Sequence, residues 1–180
     1  MGAGILPVTF YRGVLYILLG QERNNPSLWS DFGGSPNPGE DRLDTATREG
    51  EEELNGFFGN KEELKKFIKD NPIMAFSSPS SKYTSFLLKI KYNEELPYYF
   101  RKNSEFIKNH NPELIRKNNG LYEKKRIAWF QVHDKSITCK DSPHFEIRPH
   151  YKEIINSVIS NKNYIIKQII DNKNNIEKLK

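Results

Sequence analysis

The segment from Gly33 to Leu54 constrains this chain more than any other. Gly33-Gly34-Ser35-Pro36-Asn37-Pro38-Gly39 cannot sustain a helix or a central strand, because its prolines and glycines favour turns and unusual dihedrals. From Glu40 the pattern changes. Leu43, Ala46, Thr47, Gly50 and Leu54 recur at spacings of three and four, which predicts a helix with one buried stripe. Off that stripe, Glu49, Glu52 and Glu53 fall at i, i+3 and i+4, so three carboxylates converge on one side within a turn. Their repulsion costs a solvated helix about 0.2–0.5 kcal/mol per pair, and an oxygen-ligated divalent cation would turn it into binding energy. Magnesium is the natural guest, since it prefers carboxylate oxygen and keeps waters that bridge to phosphates. Arg48 is placed to orient one carboxylate by a bidentate pair, and the loop before the helix offers backbone amides to a polyphosphate.

The rest of the chain supplies strands and more helix. Residues 3–8 and 14–20 are apolar and β-branched around Tyr11-Arg12-Gly13, which predicts two strands joined by a tight turn. A short helix over 61–70 is expected next, then a Ser/Pro turn, a strand over 83–92 and a polar, insertion-like loop with some helix over 93–122. Residues 127–132 read as a further strand. From about Pro149 the isoleucines 154, 155, 159, 165, 166, 169 and 170, with Val158, predict one long amphipathic helix. Strands mixed with helices imply α/β or α+β, and 180 residues suit a single domain, a core over 1–148 with a C-terminal helix over 149–180.

Charge is unevenly spread. Residues 1–100 carry a net −3 and residues 101–180 a net +8, a front-loaded acid and a basic second half that suit a held cation beside a polyanion. A Lys/Asn-rich solvated surface is the alternative reading. The longest apolar run, Val14 to Leu19, is far too short to cross a bilayer. With no secretory pattern at Met1-Gly2-Ala3-Gly4 and Cys139 as the single cysteine, the expected compartment is reducing, the cytoplasm.

The acidic segment resembles the Nudix box: Gly, five residues, Glu, seven residues, then Arg-Glu-aliphatic-x-Glu-Glu-x-Gly-aliphatic. Here it runs Gly34, Glu40, Arg48-Glu49-Gly50-Glu51-Glu52-Glu53-Leu54-Asn55-Gly56, with every charged position matched. Gly50 replaces the aliphatic residue, and Asn55 and Gly56 stand where Gly and an aliphatic are usual. Gly50 faces the buried stripe and would let the helix approach a sheet closely, while Asn55 or Gly56 can end it in the left-handed conformation. The resemblance implies a mixed sheet sandwiched between helices and metal-dependent hydrolysis of a diphosphate linkage in a nucleoside diphosphate derivative. It implies Mg2+ or Mn2+ on Glu49, Glu52, Glu53 and the Gly34 carbonyl, Glu49 as ligand or base, and Arg48 orienting a glutamate. Glu40 would support the site, Gly33 and Gly34 would approach substrate, and Glu51 reads as a solvated charge.

Outside the box, Glu123 lies six residues before Trp129, which is similar to a segment of Nudix messenger-RNA decapping enzymes whose Glu acts as base or ligand. Phe145-Glu146-Ile147-Arg148-Pro149, followed by an apolar helix, resembles the basic RNA-binding helix that closes them. Asp31-Phe32-Gly33-Gly34 departs from their usual Pro and Lys. Capped RNA is therefore the favoured substrate, with Lys124, Arg126 and Arg148, joined by Lys125, Lys152, Lys162 and Lys167, as candidate backbone contacts. The alternatives are a dinucleoside polyphosphate, a nucleotide sugar, an oxidised nucleotide or a diphosphoinositol polyphosphate as substrate, or a binding module without turnover. Trp129 reads as core, the four histidines show no metal-ligand spacing, and Tyr98, Tyr99 and Phe100 read as packing, with base stacking as the alternative.

Overall fold

A computed structural model describes residues 1–25, 27–116 and 120–177, with Arg116 and residues 172–177 by their backbone alone. The first hairpin forms as its sequence requires. Strands β1 (Gly2–Tyr11) and β2 (Val14–Glu22) pair antiparallel through a two-residue turn in which Arg12 (φ 47°) and Gly13 (φ 80°) both take the positive φ such turns need. The two strands stay paired only from Val8 to Tyr11. Beyond that they splay, and β3 (Leu28–Ser30) fills the gap against β2 while β4 (Phe32–Gly34) fills it against β1. The expectation that Gly33 and Gly34 lie wholly in a loop is thereby corrected: they end β4, and they fit because β4 covers just three residues of β1.

Around this split the described residues form a sheet of nine strands. On one side are β6 (Tyr83–Lys89), parallel to β1, and β5 (Ala75–Ser78), which extends into what the sequence suggests is a turn. On the other, β7 (Lys124–Val132) pairs along β2, followed by β8 (Ile137–Thr138), while β9 (Glu146–Ile147) adds to β3. Strand β7 starts three residues before its expected beginning and β6 ends three before its expected end.

Helices cover both faces. On one lie α1 (Arg42–Glu53), α2 (Lys61–Asp70) and α3 (Leu96–His110), with short α4 (Pro112–Arg116) after them. On the other lie α5 (Lys152–Ser160) and α6 (Lys162–Glu177). Side chains alternate accordingly: Leu15, Ile17, Leu19, Ala128 and Phe130 face α5 and α6 with Tyr151, Ile154, Val158 and Ile165, whereas Leu18, Ile127 and Trp129 face Leu54, Leu96 and Phe100. This is the expected mixed sheet between helical layers. The single C-terminal helix is corrected to two, because Asn161 breaks it with its N–H and Nδ2 both on the Ser157 carbonyl. Residues 178–180 of that expected helix lie outside the described residues. Among the described residues no helix is long and apolar enough to cross a membrane.

Both helices near the box are capped by their own side chains. Asp41 accepts the Asp44 N–H at 2.7 Å, and Asn60 and Glu63 form a capping box on α2. At its other end α1 stops through Asn55 (φ 51°) and Gly56 (φ 72°), the left-handed pair expected there. Gly50 sits where a β-carbon would lie 2.0 Å from Ile5 Cδ1, so α1 does approach β1 as closely as its missing side chain allows.

Candidate active site

The splay of the first hairpin opens a cavity of about 570 Å3. Gly33, Gly34, Arg48, Glu49, Glu52, Glu53, Glu123 and Arg148 line it, together with Glu22, Asn24, Ser35, Asn37 and Gly120. The structure thus gathers Glu49, Glu52, Glu53, Glu123 and Arg148 around one space, while Glu40 and Glu51 stand outside its lining.

Arg48 organises one wall. Its Nε and Nη2 grip Glu40 at 2.9 and 3.2 Å, Nη2 also reaches the Ser35 carbonyl, and Nη1 lies 3.0 Å from both Glu49 Oε1 and Glu52 Oε2. The hydrogen bonds from Arg48, helped by the Asn37 N–H, hold the Glu40 carboxyl down to about 2. Glu40 is a strut between loop and helix. Glu49 and Glu52 behave oppositely: burial raises both from their ordinary value, Arg48 opposes, and the nearby charge of Glu123 raises both further. Gly34 is where Glu49 fits, since a β-carbon there would stand 2.5 Å from Glu49 Oε1.

Glu123 arrives on a pinned segment. The Tyr122 N–H donates to Asn55 Oδ1 at 3.0 Å, Arg23 Nε donates to the Tyr122 carbonyl at 2.7 Å, and the Arg23 N–H donates to the Glu123 carbonyl. Gly120 lies against Glu52, with room for no side chain. The departure at Asn55 therefore has a use: it ties the end of α1 to the chain that presents Glu123.

The rear wall holds what the sequence did not disclose. Lys124 is fully buried, its Nζ 2.6 Å from Glu22 Oε1, 3.2 Å from Glu53 Oε1 and 3.1 Å from Ser30 Oγ. Burial raises the Glu22 carboxyl, yet Lys124, Arg148 and Ser30 outweigh it and hold Glu22 below its ordinary value. Glu53 is enclosed, and burial pushes it up to about 8 against the pull of Lys124. Its oxygens both accept, one from the Gly33 N–H at 2.7 Å and the other facing Lys124. The expectation that Lys124 contacts an RNA backbone is corrected, because its ammonium never reaches the surface. Arg126 does not join the cavity either. It donates to Gln21 Oε1, lies over the Trp29 ring at 5.1 Å, and lines a separate cavity of about 320 Å3 with Tyr98, Arg101 and Asp141. Glu51, expected to be solvated, accepts the Lys61 N–H at the start of α2. Glu22 was missed. Its one sequence signal is a charge placed directly after an apolar strand, and the cross-strand pairing with Lys124 that gives it meaning is not local.

A hard divalent cation fits this donor set. The facing groups are carboxylate oxygens whose mutual repulsion is only partly relieved by Arg48. Among the described residues no three acidic groups surround a single point, since Arg48 draws Glu49 and Glu52 to itself and Lys124 draws Glu22 and Glu53. Binding would ask Arg48, which is partly exposed, to yield Glu49 and Glu52.

No family model matches the sequence, and no curated protein matches it. Among solved structures the chain is similar to a MutT/Nudix family protein from Enterococcus faecalis, with a TM-score of 0.51 and 18% identity over 88% of this chain and 61% of the other. It thus spans less than two thirds of that protein's length. A bifunctional NMN adenylyltransferase/ADP ribose pyrophosphatase from Francisella tularensis, complexed with AMP and Mn, matches with a TM-score of 0.49 and 15% identity over 88% and 41%. An Ap4A hydrolase from C. elegans matches with a TM-score of 0.37 and 26% identity over 52% and 67%. The likeness to the Enterococcus protein is one of fold.

Proposed function

The chain has the Nudix fold and carries every charged position of the Nudix box, and on that premise we propose that it is a divalent-metal-dependent hydrolase of a diphosphate linkage in nucleoside diphosphate derivatives, with the 5' cap of RNA as its favoured substrate. The observation that carries this reading is the wall on which Arg48, itself tied to Glu40, holds Glu49 and Glu52 beside a cavity also lined by Glu123. Mg2+ or Mn2+, when bound, would neutralise phosphate charge and acidify an attacking water. Glu49 and Glu52 supply the accessible donors, with the Gly34 carbonyl as the box implies, while both oxygens of Glu53, a ligand by the box, are engaged by the Gly33 N–H and Lys124.

The chain's own groups do the rest. Glu123, beside the cavity and free of Arg48, takes the proton from water, with Glu49 the alternative base. Arg48 fixes the helix carboxylates, and Glu40 fixes Arg48. Gly33 and Gly34 let substrate approach the backbone, and Arg148, which reaches Glu22 from the C-terminal side, meets substrate phosphate. Glu123 and Arg148 together support capped RNA. The withdrawal of Lys124 and Arg126 from the cavity favours the second reading, a small nucleotide or diphosphoinositol polyphosphate. A reducing compartment, the cytoplasm, is in keeping with the single buried Cys139.

Incubating the protein with capped RNA, a dinucleoside tetraphosphate and a diphosphoinositol polyphosphate, each with Mg2+ or Mn2+, tests the reading. Capped RNA is expected to turn over fastest, and Glu52→Gln to lose at least about a hundredfold in rate while staying folded. Metal-dependent turnover of none of them would replace the enzyme with a binding module.

A further inference from the structure

Behind the cavity the protein has built a place for a positive charge. The Lys124 side chain has no exposed surface, and its ammonium sits between Glu22 and Glu53 at 2.6 and 3.2 Å. Its stem crosses β2 at Gly20, where a β-carbon would lie 2.9 Å from both Lys124 Cγ and Cδ. An ammonium taken out of water is costly unless matched, and this one meets two carboxylates and the Ser30 hydroxyl. The two acids are not otherwise sealed off, because Glu22 and Glu53 both line the cavity. Without the ammonium, Glu53 would keep only the Gly33 N–H, and Glu22 only the Ser30 hydroxyl and the solvent-facing Arg148, leaving two carboxylates on the cavity wall open to a divalent ion.

We propose that Lys124 is a resident cation of this site: its ammonium holds the place between Glu22 and Glu53 that a further divalent ion would otherwise take, and so confines exchangeable metal to Glu49, Glu52 and Glu123. This rests on the metal-dependent reading above and deepens it. The cationic clamps Arg48 and Lys124 differ in kind, while Arg148 reaches Glu22 from the exposed side. Arg48 lines the cavity and is partly exposed, so metal can displace it from Glu49 and Glu52, whereas Lys124 is enclosed behind the acids it serves. Glu53 thereby contributes as an anchor between Lys124 and the Gly33 N–H.

Mn2+ binding to the full chain, read by the paramagnetic resonance of free Mn2+ and by calorimetry, tests this without turnover. Lys124→Met keeps the stem and removes the charge, and it is expected to bind one more Mn2+ per chain than the wild type, whereas Lys124→Arg gains none. A folded Lys124→Met with no gain overturns the proposal. Should Lys124→Met fail to fold, Glu22→Gln decides: the wild-type count is expected to stand, and loss of one Mn2+ would make Glu22 a metal ligand and overturn the proposal. The functional reading fails on a different result, a wild type that binds no Mn2+, whatever Lys124→Met gains over it.

Discussion

At Asn55 the backbone turns left-handed to end α1, and the side chain accepts the Tyr122 N–H that steadies Glu123. Asn55→Gly keeps the first property and removes the second. It should leave thermal stability within about 1 kcal/mol of wild type and lower kcat with little change in KM, by roughly tenfold, as a support of a reacting group does. Steady-state kinetics beside a melting curve checks this. Asp31 offers a different test. It is fully buried, takes hydrogen bonds from Tyr83 at 2.8 Å and Ser85 at 2.5 Å, and burial still pushes it from 3.8 to about 6. Between those values the folded chain holds a proton that the unfolded chain has released, so this residue's contribution is full below 3.8 and is lost as pH rises to about 6. Asp31→Asn should remove that slope, gaining on wild type by up to about 3 kcal/mol across the window in denaturant unfolding. Neither role was legible in sequence, because the partners lie 67 and 52 residues away.

Elements were legible where a single stripe is buried. The helix over 61–70 coincides with α2, and α1 follows from its own period, because one face of each meets the sheet and the other meets water. α3 was blurred: Leu96, Phe100 and Ser104 are buried, while Tyr98, Tyr99 and Phe106 stay exposed and break the apolar period. Packing on the unrelated β7 supplies what the pattern lacks. Strands of two or three residues, such as β8 and β9, carry no readable alternation and exist through their partners. The close seat of α1 on β1 is testable. Gly50→Ala raises helix propensity, yet its methyl collides with Ile5, so it should destabilise by about 1–3 kcal/mol, and Ile5→Val in the same chain should recover part of that loss. A Gly50→Ala variant as stable as wild type in urea would remove the packing argument.

At the scale of the whole molecule, one sheet carries two independent layers of core and a charged cavity at the split of its first hairpin. Metal that binds only the folded chain should raise Tm with concentration, by an amount equivalent to about 2.7 kcal/mol at a hundred times Kd. Glu52→Gln should abolish that rise in differential scanning fluorimetry with Mn2+. The basic second half legible in the sequence is real as composition, but folding redistributes it. Lys124 goes inward, Arg126 turns to Trp29 and Gln21, and Arg148 alone of the three lines the cavity. A tally of charge along a chain records neither depth nor direction. Gly20 shows how far this reaches. Ordinary drift to alanine at that strand position would leave every letter of the acidic signature untouched and still press on the Lys124 stem behind it, so the cation held at the back could change while the face looked intact.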